Sequence, residues 1–302
     1  MRAGLAALLM LALAVAAAPA RAELLWSQHF DSAALGHPLA YSIYLPPGYH
    51  DPRGDPPARY PVVYLLHGVG DSERSYPAWG AVEETADRLI TAGQIPPMII
   101  VMPNGVRSWY VDSADVGGPG NYATAIAHDL VDHIDAAYRT IPERDARFVT
   151  GHSMGGFGAL RFALSEPDRW GAAAAMSSAL WSRVAPGFQH DEDRNERIFD
   201  VSFGRPFDAD RFLALRPRAY IAAAAASGCA PALYMTAGDD DDFNAYRSTF
   251  DLAMELRETG LAVDLRITDG GHNWPTWRER ALPDVLVWFG SLLAAQPAAP
   301  IC

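Results

Sequence analysis

A serine hydroxyl becomes a nucleophile only when a base takes its proton and its own backbone lifts it clear of neighbouring atoms. The stretch Phe148-Val149-Thr150-Gly151-His152-Ser153-Met154-Gly155-Gly156 offers that setting. Ser153 stands between two glycines, where an apolar β-run (Ala146 to Thr150) meets a helical pattern (Gly156 to Ser165) that stops before Pro167. Such a strand-to-helix turn is a nucleophile elbow: the glycines admit neighbouring backbone, and the helix that starts near Met154 aims amide groups at developing negative charge. Without its context the pattern is only a glycine-rich turn holding a serine.

The base needs an imidazole, and the imidazole needs a carboxylate to hold its tautomer. His272 follows Gly270-Gly271 after the last apolar run and is the candidate base, in the chain order serine, acid, histidine. His29, His37 and His50 belong to the N-terminal β region or its loops. His128 and His133 sit on a helical pattern whose apolar positions are Ile126, Leu130, Val131 and Ile134, and read as surface residues. Asp132 and Asp129, four residues from those histidines, imitate metal-ligand spacing, but no metal is expected there. The acid must come from Asp239 to Asp242. Like charges in a row repel, so one is expected to be buried against the histidine while the others stay solvated or cap the next helix. Asp241 is the first choice and Asp240 the second. A plain solvated turn is the alternative, and a Ca²⁺ loop lacks its spaced ligands and closing glutamate.

Attack on an ester creates an oxyanion that calls for two preorganised N–H donors. The amide of Met154 is one by position. Val69, in His67-Gly68-Val69-Gly70, is the other candidate, with His67 bracing the loop.

These residues need a scaffold that gathers them. Runs at Leu39 to Leu45, Tyr60 to Leu66, Met98 to Met102, Ala146 to Thr150, Gly171 to Met176, Ala232 to Thr236 and Ala262 to Thr268 read as strands. Helical patterns at Ala81 to Ala92, Asn121 to Tyr138, Gly156 to Ser165, Asn244 to Thr259 and Leu282 to Leu293 fall between them. The alternation predicts an α/β fold: a doubly wound, mostly parallel sheet with helices on both faces, whose loops at the carboxyl strand ends carry the chemistry. The segment Leu180 to Gly228 is an insertion near the pocket, carrying Trp181, Phe188, Phe199, Phe203, Phe207 and Phe212, aromatics better explained by packing than by substrate contact. Trp109 and Trp274, with Tyr110 and Trp277, are placed at the mouth, and the two tryptophans are the substrate-binding candidates.

Met1-Arg2-Ala3-Gly4, the apolar run Leu5 to Ala18 and the small residues of Ala20-Arg21-Ala22 read as a secretory signal over 1–22, too short to serve as a stable membrane anchor. The remainder, 23–302, reads as a single catalytic domain in a secreted or periplasmic protein. A net charge of −12 argues against nucleic-acid binding. An oxidising compartment permits Cys229 and Cys302 to pair, though Cys229 can equally be a buried thiol.

With these residues assembled, the chain resembles the secreted esterase group of the α/β-hydrolases that includes esterase D (S-formylglutathione hydrolase), feruloyl esterases, enterochelin esterase-like proteins and the antigen 85 mycolyltransferases. The resemblance runs from Tyr64-Leu65-Leu66-His67-Gly68 through Val101-Met102-Pro103-Asn104-Gly105, Tyr138-Arg139-Thr140 and Gly151-His152-Ser153-Met154-Gly155-Gly156 to Gly270-Gly271-His272-Asn273-Trp274. It implies an oxyanion hole at Val69 and Met154, and an acid three places after Gly238, at Asp241. Aspartate at every place from 239 to 242 leaves room for that assignment to slip by one. The resemblance further implies hydrolysis of small acyl or aryl esters through an acyl-enzyme, without a cofactor. The antigen 85 relatives imply an alternative, acyl transfer by the same machinery, and a fold alone is also compatible with a non-catalytic binding module. Oligomeric state and the natural ester are not encoded in any of these motifs.

Overall fold

The computed structural model describes residues 21–51, 58–181, 192–199 and 201–295. The expected signal segment lies outside them except for its last two positions, as do Phe188 and Cys302, and with Cys302 the proposed cysteine pairing.

The chain begins with a hairpin of β1 (Glu23–Ser32) and β2 (His37–Leu45), then runs through β3 (Val62–Leu66), α1 (Ser75–Trp79), α2 (Val82–Thr91) and β4 (Ile99–Pro103). Next come α3 (Tyr122–Thr124), a wider-wound stretch Ala125–Leu130, α4 (Val131–Ala137), β5 (Arg147–His152), α5 (Met154–Ser165) and β6 (Ala172–Met176). The inserted segment contributes α6 (Glu192–Phe199), α7 (Ala209–Leu215) and α8 (Ile221–Ala226). The chain closes with β7 (Ala232–Gly238), α9 (Ala245–Glu258), β8 (Val263–Thr268), α10 (Trp274–Thr276) and α11 (Leu282–Ala295).

The strands form one 8-stranded sheet in the order β1-β2-β4-β3-β5-β6-β7-β8. It is antiparallel from β1 to β4 and parallel from there on. Period-two alternation divides the core into two layers. Val62, Tyr64 and Leu66 face one layer with the buried sides of α4, α5 and α9. Val63 and Leu65 face the other, with α2 and α11. Because α5 is apolar nearly all round, both its sides are covered, one by the sheet and one by the insertion. The insertion aromatics Phe199, Phe203, Phe207 and Phe212 stack on one another at centroid distances of 4.9 to 6.5 Å and belong to the core.

The parallel register does the positioning. Leu66 pairs with Gly151, His152 with Met176, Met176 with Thr236 and Gly238 with Thr268, so the loops after β3, β5, β7 and β8 leave one edge together. Strand β1 is absent from the sequence-based expectation. It is a half-exposed edge strand whose register shifts between Leu25 and Gln28, and Ser27 takes φ 46°, so no regular alternation marks it. Among the described residues no helix is long and apolar enough to cross a membrane.

Candidate active site

Ser153 sits between β5 and α5 with φ 54° and ψ −117°, a conformation that side-chain-bearing residues rarely adopt. The strain is held from both sides: the Ser153 amide donates to the Met176 carbonyl at 3.0 Å, and the Ser153 carbonyl accepts from Phe157 and Ala179 at 3.2 Å. A β-carbon on Gly151 or Gly155 would press into the Leu66 carbonyl, so only glycines let the elbow lie against the end of β3. Burial is complete on either side of Ser153, which alone in the turn is partly open.

His272 leaves the loop after β8 and reaches both partners. Its Nε2 lies 3.1 Å from Ser153 Oγ and its Nδ1 2.7 Å from Asp241 Oδ2. The Asp241 carboxylate is a fixed acceptor, so Nδ1–H donates to it and Nε2 is left to accept the serine proton. The Asp241 side chain is fully buried and that of His272 is 12% exposed. The other oxygen of Asp241 accepts from the amides of Phe243 and Ala245 at 2.9 and 3.3 Å. Asp239, Asp240 and Asp242 are exposed, so of the four aspartates it is Asp241 that the structure brings to the histidine.

The loop after β3 lies beside the elbow. His67 is buried, donates from Nδ1 to the Gly68 carbonyl at 2.8 Å, and accepts the Gly105 amide at Nε2 at 2.9 Å, tying the ends of β3 and β4 together. Burial pushes its imidazole down to about 4, so it stays neutral. Val69 is exposed at the rim, and Met154 begins α5 with its side chain buried.

A second histidine–aspartate pair went unassigned in the sequence. His152, inside the elbow motif, places Nε2 3.0 Å from Asp71 Oδ2 and Nδ1 2.8 Å from the Tyr76 hydroxyl. Burial lowers the His152 imidazole, Asp71 opposes the shift, and the nearby His272 adds to it, leaving the group below the usual histidine range. Burial also works to raise Asp71, but the His152 hydrogen bond and the surrounding imidazoles outweigh it, so the carboxyl lies below its usual range. Trp277 separates the two histidines, stacked on His152 at 4.0 Å and edge-on to His272 at 5.1 Å.

The two tryptophans expected to bind substrate part company, and Tyr110 and Trp277, also placed at the mouth, are buried. Trp274 is half-buried and lines a surface cavity of about 470 Å³ with Ala78, Trp79 and Arg278, while its ring meets that of His152 at 4.9 Å. Trp109 is not at the mouth. It is 2% exposed, packed among Phe157, Trp181 and Phe199, with Nε1 donating to the Ile198 carbonyl at 3.2 Å. The insertion covers it, a long-range contact that position in the chain does not reveal. The mouth instead carries Phe243, 76% exposed, whose ring lies 4.8 Å from that of His272. Asp239, Asp240 and Asp269 place carboxylate oxygens within 4.8 Å of one another, but all are exposed and Asp239 already accepts the Gly270 amide.

The geometry of an elbow serine, histidine and buried carboxylate sets the context for comparison with known proteins. The family model described as "Putative esterase" matches residues 32–288. The chain belongs to this esterase family. Esterase Rv1288 of Mycobacterium tuberculosis is 36% identical over 190 residues, covering 61% of this chain and 39% of the relative. An endo-1,4-beta-xylanase/feruloyl esterase of Xylanibacter ruminicola is 30% identical over 157 residues, 50% of this chain and 21% of that protein. The chain thus spans well under half the length of these curated relatives. A solved ferulic acid esterase superposes with a TM-score of 0.70 at 25% identity, covering 90% of this chain and 99% of the other. The fold is that of the α/β-hydrolases, and the names agree with the esterase group that the motifs resemble.

Proposed function

We propose that this protein is an exported serine carboxylic ester hydrolase, with residues 23–302 as its single catalytic domain, acting on small acyl or aryl esters. The observation that carries the reading is the continuous hydrogen-bonded line from Asp241 through His272 to Ser153, at 2.7 and 3.1 Å, ending on the one partly open residue of the elbow. In the first half-reaction Ser153 Oγ attacks the ester carbonyl as His272 Nε2 takes its proton. Asp241 holds the ring and stabilises the imidazolium. The oxyanion is received by the amides of Val69 and Met154, each contributing on the order of 3 kcal/mol to the transition state. Collapse expels the alcohol, which leaves with the proton from His272. Water then attacks the acyl-enzyme by the same route and releases the carboxylic acid and free Ser153.

An aromatic acyl or alcohol group suits the rim that Phe243 and Trp274 present beside His272, and the feruloyl esterase relatives support that class. Export rests on the signal pattern over 1–22. The test is mass spectrometry of the intact protein after a fluorophosphonate probe, with p-nitrophenol release from acetate, butyrate and ferulate esters. A single adduct on Ser153, lost in Ser153→Ala and His272→Ala together with turnover, is the expected result. A folded protein with neither adduct nor turnover would refute it. N-terminal sequencing of the exported protein checks cleavage after Ala22.

A further inference from the structure

Beside α5, most buried or half-buried arginines are held by several acceptors. Arg144 donates to Asp145 and to the carbonyls of Pro167, Cys229 and Ala230. Arg147 donates to Asp135 and to the carbonyls of Pro142 and Arg169. Arg161, on α5, is different. It is 9% exposed, and among the described residues its Nε has no partner and its hydrogen bonding amounts to a 3.4 Å contact from Nη1 to the Tyr110 carbonyl. Its guanidinium carbon lies 5.7 Å from the centroid of the Tyr220 ring. Among the described residues no carboxylate comes within ion-pair distance of it. A guanidinium taken out of water in this way is unfavourable unless something charged or strongly polar completes it.

Arg161 is not sealed in. It lines a surface cavity of about 530 Å³ together with Asp112, Asp115, Asn121 and Arg211. The other charges of that cavity have partners, although Arg211 Nε, like Arg161 Nε, has none among the described residues. Arg211 meets both oxygens of Asp115 at 2.8 Å and the Asp112 carbonyl at 2.7 Å. The Asp112 carboxylate accepts from the Thr124 amide at 3.0 Å and its hydroxyl at 2.7 Å. Asn121 uses its carbonyl oxygen to accept the Ala114 amide at 3.3 Å, and its Nδ2 has no partner among the described residues.

We propose that this cavity is a binding site for a hydroxylated carboxylate, of the sugar-acid or hydroxy-acid type. The carboxylate would take paired hydrogen bonds from Arg161 and one from Asn121 Nδ2. Hydroxyl groups beside it would donate to the remaining lone pairs of Asp112 and Asp115. A neutral sugar leaves the guanidinium unmatched, and a dianion such as phosphate meets two aspartates. The site is separate from Ser153: eight residues of helix, 161 less 153, put the two Cα atoms about 12 Å apart.

Isothermal titration at constant ionic strength tests this on the whole protein with D-glucuronate, acetate, D-glucose and inorganic phosphate. Saturable glucuronate binding is expected, at least tenfold tighter than glucose, and at least tenfold weaker in Arg161→Met. Asn121→Ala should weaken it severalfold, with p-nitrophenyl ester turnover of both variants within about twofold of the parent. If Arg161→Met does not fold, the glucuronate-to-glucose ratio of the parent and the Asn121→Ala loss decide the matter. Absence of saturable carboxylate binding, or binding unchanged in the variants, overturns the site. Acetate or phosphate matching glucuronate overturns the ligand class.

Discussion

Two histidine–aspartate pairs stand on either side of Trp277, built from the same side chains, and they differ in what the second imidazole nitrogen faces. In the pair His272–Asp241 that nitrogen lies 3.1 Å from a serine hydroxyl at the surface of the elbow. In the pair His152–Asp71 it lies 2.8 Å from the hydroxyl of Tyr76, a buried phenol that burial pushes well above its usual range. Tyr76 therefore keeps its proton and donates it to His152 Nδ1, and His152 Nε2–H donates to the ionised Asp71. Both ring nitrogens of His152 are thereby spent on the protein. The open pair can move a proton to substrate, whereas the closed one can only hold the elbow against the loop after β3. A β-carbon on Gly68 would come 2.7 Å from His152 Nε2, which shows how closely that loop rests on the closed pair.

The strongest way to break this contrast is to remove the carboxylate's charge in each pair. Asp241→Asn should lower kcat/KM about 10³- to 10⁴-fold, because the amide presents a donor to Nδ1 and favours the wrong tautomer. Asp71→Asn should cost less than about tenfold, and Asp240→Asn, at an exposed site, should stay within about twofold. Comparable losses in Asp241→Asn and Asp71→Asn, measured on one p-nitrophenyl ester, would erase the distinction.

The tryptophans allow the same question in a different currency. Trp109→Ala should destabilise by about 3–5 kcal/mol in urea unfolding, since it empties a core site under the insertion. Trp274→Ala, at the edge of an open cavity, should cost under about 1.5 kcal/mol and be read in KM instead. A Trp109→Ala protein of normal stability but raised KM would return that residue to the mouth.

The closed pair itself should be worth about 2–3 kcal/mol. His152→Leu leaves Asp71 and Tyr76 without their partner, and the penalty is that of two unmatched polar groups. Adding Asp71→Asn to His152→Leu should then cost little more, because the two substitutions break one network.

Much of this architecture was readable because strong local signals coincide with the sheet's period. The runs at β3, β5, β6 and β7 are buried on both faces, and the elbow's glycines mark a backbone crossing that tolerates no β-carbon. What stayed hidden depends on contacts remote in sequence. The pairing of His152 with Asp71 spans 81 residues, and neither residue carries a local mark of it. Trp109 looked like a mouth residue because its cover, Trp181 and Phe199, arrives from the insertion. Among the four aspartates sequence could only rank candidates. Burial separates them, since Asp241 turns inward where the amides of Phe243 and Ala245 receive it.

The smallest expected signal is a slope. His67 and His152 are both neutral and buried, and burial holds His67 near 4, against about 6.5 for an exposed histidine. Between those values the unfolded chain binds a proton that the folded chain refuses. Stability therefore rises with pH across the window and is lost as pH falls from about 6.5 toward about 4. The depressed Asp71 acts in the same direction at lower pH, because its folded carboxylate also resists protonation. His67→Asn should lower stability at every pH but flatten this dependence, by up to about 1.4 kcal/mol per pH unit for the one proton removed. Unfolding midpoints in urea at steps from pH 4 to 7 would resolve it. A variant with the parent's slope would mean that His67 takes up its proton in the folded state, which the single proton on its Nδ1 and the Gly105 amide on its Nε2 argue against.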